Sequence, residues 1–188
     1  LDAAPNGLIK IPNFLPSELA ERIYETISSC SPKEWLMTEA SADYTKNNIA
    51  HQFFSAKDFP NSSAIFDLFT SSLPGHVVRI SAGKYMGGDF IDPHDDSAIA
   101  QVGEQLYHRH IAFIYYLSKD WKAEYGGALV DIEDDNKLYV PEFNSVIAFK
   151  VPHWHQVEEV RTKEHPRYSI FGWYMNPGVL PNVDENSG

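Results

Sequence analysis

The chain has 188 residues, 43% of them hydrophobic, and sets 26 acidic against 15 basic side chains for a formal charge of −11. That balance argues against nucleic acid and anionic membrane surfaces as partners, because neutralising a phosphate backbone takes a basic face. Cys30 is the one cysteine, which excludes an intrachain disulfide and a cysteine-based zinc site. No apolar run reaches the ~18 to 20 residues of a membrane span, and the start, LDAAPNG, has neither the basic nor the apolar region of a secretory signal. The expectation is one soluble, cytoplasmic domain over residues 1–188. A trimmed N-terminus stays open because the chain does not begin with Met, and composition is silent on oligomeric state.

In chain order, GLIKIPNFL (7–15) reads as a short strand leading to Pro16. Leu19, Ile23, Ile27 and Cys30 then recur at helical spacing and predict an amphipathic helix with one buried stripe. Residues 31–50 are polar and aperiodic, with weak strand character around Trp35 to Met37 and a loop through EASADYTKNN that is a candidate lid. NSSAIFDLFTSSL (61–73) predicts a second helix, started near Ser62 or Ser63 and stopped by Pro74-Gly75. From His76 onward six β-branched and aromatic runs follow: HVVRISAGKY, HIAFIYYL, GALVDI, KLYV, SVIAFKV and RYSIFGWYM. Gly87-Gly88, Gly126-Gly127, Asp134-Asp135-Asn136 and Pro141 punctuate them. The predicted architecture is mainly β, a sandwich or barrel with the N-terminal helices packed on one outer sheet face. Residues 1–75 supply support and the lid, 76–176 the β core, and 177–188 a Pro- and Gly-rich tail expected to fray.

The chemistry concentrates first in DPHDDS (92–97). His94 and Asp96 lie two apart, so on an extended chain both side chains leave the same edge and can share an ion while Asp95 points away. Alone, His-x-Asp is common and reads more readily as a solvated acidic turn than as a metal site. A third ligand has to come from His51, His76, His108, His110, His153, His155 or His165. The best source is HWHQV, where an apolar strand delivers His153 and His155, which share parity if Pro152 does not break the strand, so alternation leaves both open. Two histidines and one carboxylate with open positions suit a non-haem Fe(II) centre that activates dioxygen. Zinc accepts the same ligands, which keeps a zinc hydrolase as a competing reading.

RYSIFGWY (167–174) discriminates between them. Period two puts Arg167, Ser169, Phe171 and Trp173 on one strand face, and an arginine on an apolar face needs a counter-anion. The anion is either an internal carboxylate or an acidic co-substrate held bidentately by the guanidinium, with the Ser169 hydroxyl as a further donor.

KYMGGDFIDPHDD, RHIAFIYYLSKDW, GGAL, HWHQVEEV and RYSIFGWY, in that order over roughly residues 76–176, resemble the Fe(II)/2-oxoglutarate-dependent dioxygenases, and within them the prolyl 4-hydroxylase-like branch. IYYLSKDW with GGAL looks most like the oxygen-sensing prolyl hydroxylases and their bacterial relatives. The resemblance implies a double-stranded β-helix, a jelly-roll barrel with iron at its open end. It implies His94, Asp96 and His155 as iron ligands, with His153 as the fallback, and Arg167 as partner of the distal carboxylate of 2-oxoglutarate. Tyr116 is implied to assist Arg167, and Tyr85 and Trp173 to line the co-substrate pocket. The implied reaction hydroxylates an unactivated C–H bond with O2 and 2-oxoglutarate, releases succinate and CO2, and admits ascorbate as an optional reductant. Related halogenases put a small residue where Asp96 stands, so hydroxylation is the implied outcome here. The implied substrate is a prolyl residue of a protein or peptide; the alternative is a free amino acid or other small molecule. A protein substrate would lie across the barrel mouth beside a 38–56 loop, within reach of Arg109, whose other reading is a surface ion pair. The first 75 residues carry no convincing substrate-recognition segment. A catalytically silent β-barrel binding module is the remaining alternative, and the complete ligand set counts against it.

Overall fold

The computed structural model describes residues 7–40 and 49–179. Its elements are β1 (Leu8–Ile11), α1 (Ser17–Ser28), β2 (Leu36–Ala40), β3 (His51–Ala56), α2 (Ser62–Ser72), β4 (Val77–Tyr85), β5 (Phe90–His94), β6 (Ile99–Val102) and β7 (Gln105–Tyr116). Then follow β8 (Leu129–Asp131), β9 (Lys137–Tyr139), β10 (Ser145–Lys150), β11 (His155–Val157) and β12 (Arg167–Pro177). Short 3-10 turns occupy 123–125 and 132–134.

All strands join one antiparallel sheet in the order β1-β10-β7-β12-β4-β3-β5-β11-β8-β9, with β2 added on β3 and β6 on β7. The sheet curls into a half-barrel, with the two helices packed outside it. The long central strands β4, β7 and β12 are the β-branched and aromatic runs of the sequence, paired register by register from Arg167↔Tyr85 to Met175↔Val77. Alternation sorts their side chains between two cores. On β7, Tyr115 and Phe113 face outward to Ile23, Ile27, Ile65 and Phe69 of the helices. Its neighbour Tyr116 faces inward to Tyr85, Leu129, Phe149 and Val160. Phe69 stacks on Phe113 at 4.8 Å and accepts the Tyr174 hydroxyl bond on its carbonyl at 2.7 Å, fixing α2 to the sheet. Burying such a ring contributes about 2 to 3 kcal/mol.

Both helices fall where periodicity predicts them. The buried stripe of α1 consists of Ala20, Ile23 and Ile27, with Leu19 and Cys30 half-buried at its ends. Pro16 starts the helix without a side-chain cap, its carbonyl accepting from the amides of Leu19 and Ala20.

Residues 38–56 are not a loop. His51–Ala56 is a strand that pairs with β2, β4 and β5, so the segment is two arms of sheet flanking residues 41–48, and the lid expected there lies outside the described residues. The strand escapes period-two detection because β3 sits between neighbours on both sides and follows a polar stretch. With β1, β2 and β3 in the sheet, the first 75 residues are part of the β architecture rather than only its support. β5 and β6 are likewise strands that no apolar run announces. Pro177 closes β12 instead of opening a tail, and 180–188 lie outside the described residues. Among the described residues no helix is long and apolar enough to cross a membrane.

Candidate active site

β5 and β11 are paired, and their register sets His94 opposite His155 with ring centroids 4.2 Å apart. The third group arrives by a different route from the extended chain expected. β5 ends at His94, and Asp96 sits in the left-handed region at φ 65°, which folds its carboxylate back over the histidines. Asp96 Oδ1 lies 3.0 Å from His94 Nε2, and Oδ2 lies 3.7 Å from His155 Nε2. One ligand atom from each of the three lies within 4.8 Å of the others, a cluster that could hold a metal ion. Asp95 turns away, as expected, and accepts the amide of Ser97 at 2.9 Å.

The tautomers suit a metal. His94 Nδ1 donates to Asp92 O at 2.8 Å and His155 Nδ1 to His153 O at 2.6 Å, which turns the Nε2 of each ring toward the cluster, where a metal would replace any proton it carries. Burial raises the Asp96 carboxyl, yet the His94 hydrogen bond and both histidine rings hold it down at about 2, so it stays ionised. Burial alone lowers His94, but the bond and charge of Asp96 more than offset it and its pKa is raised. His155, more completely desolvated, is lowered and kept neutral. Trp173 Nε1 donates to Asp96 Oδ2 at 3.1 Å, and Arg109 donates to the Asp96 carbonyl at 3.1 Å while its guanidinium lies 3.5 Å from the Trp173 ring centroid. Arg109 is therefore a pocket-wall cation stacked on an indole, not a surface ion pair.

His153, the fallback ligand, belongs elsewhere: its Nε2 is bonded to Asp131 at 2.7 Å. The strand breaks after Lys150 and resumes at His155, so the two histidines do not share the parity of one unbroken strand. His51 lines the cavity mouth, His76 and His108 flank His110, and His165 stacks on Tyr125.

The cluster opens into a cavity of about 360 Å³. Arg167 lies in its wall, 1% exposed, with Nε donating to Gly127 O at 2.8 Å and the guanidinium 4.6 Å from the Tyr85 ring centroid and 5.1 Å from that of Tyr116. Among the described residues its Nη2 and the Tyr116 hydroxyl are buried with no hydrogen-bond partner. Burial pushes the Tyr116 and Tyr85 hydroxyls up against the opposing Arg167 charge, so both remain protonated. Gly127, at φ 70°, makes room: a Cβ there would stand 2.9 Å from Arg167 Cδ and 3.0 Å from Val160 Cγ2. Ser169, Phe171 and Trp173 line the same cavity with Arg167, as period two predicts. Sequence reading missed Phe53, which stacks on Tyr85 at 5.0 Å, and Ile49, both from the segment taken for a loop.

The family model for the 2OG-Fe(II) oxygenase superfamily matches residues 80–175. The chain belongs to that superfamily, which brings Fe(II) and 2-oxoglutarate as its metal and co-substrate. It is 28% identical to the mouse (Mus musculus) prolyl 3-hydroxylase OGFOD1 over 206 residues, covering 95% of this chain and 34% of that protein. It is 34% identical to Drosophila melanogaster prolyl 3-hydroxylase sudestada1 over 113 residues, covering 52% of this chain and 20% of that protein. The chain thus spans about a third or less of the curated relatives it matches. The fold matches a Pseudomonas putida prolyl-4-hydroxylase with TM-score 0.63 at 18% identity, over 92% of this chain and 94% of that one. It also matches the viral collagen prolyl hydroxylase of Paramecium Bursaria Chlorella virus-1 with TM-score 0.58 at 15% identity, over 93% and 97%. The half-barrel is accordingly the double-stranded β-helix of these oxygenases. The residues fit both groups: two pinned imidazoles and a carboxylate for the metal, and an orphaned buried guanidinium and hydroxyl for a carboxylate.

Proposed function

We propose that this chain is an Fe(II)- and 2-oxoglutarate-dependent hydroxylase of a prolyl residue in a protein or peptide. The observation that carries the reading is one cavity lined by the His94, Asp96 and His155 cluster and by Arg167, whose buried Nη2 lacks a partner. A zinc hydrolase has no use for a buried cation with an unpaired Nη2 in the wall of the metal cavity, whereas a dicarboxylic co-substrate supplies its counter-anion. The prolyl assignment rests on the named activity of the curated relatives.

In this reading His94 Nε2, His155 Nε2 and the Asp96 carboxylate hold the metal. Arg167 and the Tyr116 hydroxyl bind the far carboxylate of 2-oxoglutarate, with Ser169 beside them. Fe(II) held there would supply O2 activation coupled to oxidative decarboxylation of 2-oxoglutarate, with succinate and CO2 as co-products of the hydroxylation. The chain's task is positioning and exclusion of water. Phe53, Ile114, Phe149 and Phe171 give the cavity apolar walls, Tyr85 covers one face of the guanidinium, and Arg109 with Trp173 borders the metal cluster where substrate enters. No side chain has to abstract a proton.

Anaerobic addition of Fe(II) and then 2-oxoglutarate should give a visible metal-to-ligand charge-transfer band, absent in His94→Ala and weakened in Arg167→Ala. No band in the wild-type protein would sink the oxygenase reading. O2-dependent succinate release with prolyl peptides, compared with free amino acids, tests the substrate class; turnover of free amino acids alone would replace the prolyl assignment.

A further inference from the structure

His153 is buried, titratable and unused by the reaction. Its surroundings tie it to both halves of the metal cluster. Its backbone N–H donates to the Asp95 carbonyl at 3.2 Å, the peptide between His94 and Asp96. Its own carbonyl accepts from His155 Nδ1 at 2.6 Å. One residue therefore touches the turn that carries two candidate ligands and the ring that is the third.

The His153 ring is itself held on several sides. It is 3% exposed, packs 5.2 Å from Phe149, and lies between two carboxylates, with Nε2 2.7 Å from Asp131 Oδ1 and Nδ1 3.4 Å from Glu133 Oε2. Asp131 is the β8 residue directly opposite His155 in the ladder. The 3-10 turn after it clamps the next residue as well: Ile132 N donates to Trp154 O at 3.1 Å, and Trp154 N donates to Glu133 Oε1 at 2.9 Å. Residues 151–154 join two strands, the place where backbone ordinarily moves most. A hydrogen-bond acceptor for a ligating histidine has to be held, because outer partners set ring orientation and typically tune metal affinity 10- to 100-fold.

We propose that His153, bolted by Asp131, is a positioning residue that presets the spacing between the His94–Asp96 turn and His155. This rests on the reading of those three residues as metal ligands. It is independent of the co-substrate and of the substrate.

The test is anaerobic Co(II) titration of the folded protein, read by its visible d–d absorption and by calorimetry, with thermal melting in parallel. His155→Ala should abolish the spectrum, and an unchanged spectrum in that variant overturns the ligand reading itself. His153→Ala and Asp131→Ala should each weaken Co(II) binding by about 10- to 100-fold and alter the band shape, since His155 loses its fixed orientation. The double variant should be little worse than either single, because the two residues act as one unit. Asp131→Asn, which keeps an acceptor for the ring, should retain binding within about threefold. Wild-type affinity and band shape in His153→Ala, with only a lowered Tm, overturn the proposal while leaving the ligand reading intact. Should His153→Ala not fold, the contrast between Asp131→Asn and Asp131→Ala decides the same question.

Discussion

Replacing Arg167 with methionine should push stability and co-substrate affinity in opposite directions. The guanidinium is buried among apolar and aromatic side chains, with one bond to Gly127 O and Nη2 unsatisfied. Exchanging a buried ion for an apolar side chain of similar length is often neutral or stabilising by ~1 to 4 kcal/mol. Loss of the bond to Gly127 takes back about 1 kcal/mol. At ~2 to 4 °C per kcal/mol for a chain of this size, the Tm without 2-oxoglutarate should stay level or rise by a few degrees. Binding behaves otherwise, because removing one partner of a buried ion pair costs ~3 to 5 kcal/mol, roughly 150- to 4,000-fold in Kd. The assay is thermal melting of the Mn(II)-loaded protein across a 2-oxoglutarate series. At 100 times its Kd the co-substrate stabilises wild type by about 2.7 kcal/mol, an upward shift of ~5 to 11 °C that should vanish in the variant. A Tm without 2-oxoglutarate that drops by more than about 6 °C while the ligand-induced shift persists would refute the reasoning: Arg167 would be a structural ion, and the carboxylate would bind elsewhere.

Asp95→Ala should leave Co(II) affinity within about twofold, because its carboxylate lies outside the ligand cluster and bonds the Ser97 amide, while Asp96→Ala abolishes binding; paired titrations check this. Trp173→Phe removes the donor to Asp96 Oδ2 and should weaken metal binding by about 10-fold without unfolding the chain, read by the same titration with circular dichroism as control. Metal affinity should fall as pH drops, since the raised His94 protonates first and the proton competes with metal, while Asp96 stays charged; Co(II) isotherms at stepped pH measure it. Phe69→Ala should cost about 3 to 5 kcal/mol in denaturant unfolding, because its ring joins α2 to Phe113 and Tyr115.

Periodicity carried both helices and the long strands, since hydrophobic spacing is what their packing uses. The face holding Arg167, Ser169, Phe171 and Trp173 was legible for the same reason. What stayed hidden is conformation that side-chain pattern does not encode. Asp96 joins the cluster through a left-handed backbone rather than by strand parity, so the right residues were paired on the wrong geometry. His155 could be separated from His153 only where the chain breaks between β10 and β11. β3 was lost because a short strand held by neighbours on both sides needs no alternation of its own, and with it went Phe53 and Ile49 of the cavity. Support residues such as Gly127 and Asp131 act through contacts 22 to 40 positions away, a relation no local window contains.

The left-handed turn at Asp96 also makes that position an opening for new chemistry. A β-carbon there costs ~1 to 2 kcal/mol of backbone strain, eased for Asp, that glycine does not incur. Asp96→Gly should therefore relax the chain while vacating one site in the cluster, leaving the Trp173 indole N–H without its acceptor while Arg109 keeps its bond to the carbonyl of residue 96. Added formate, acetate or halide would meet that freed indole donor beside the two histidines, and metal binding restored by formate in that variant would turn a resident ligand into an exchangeable one.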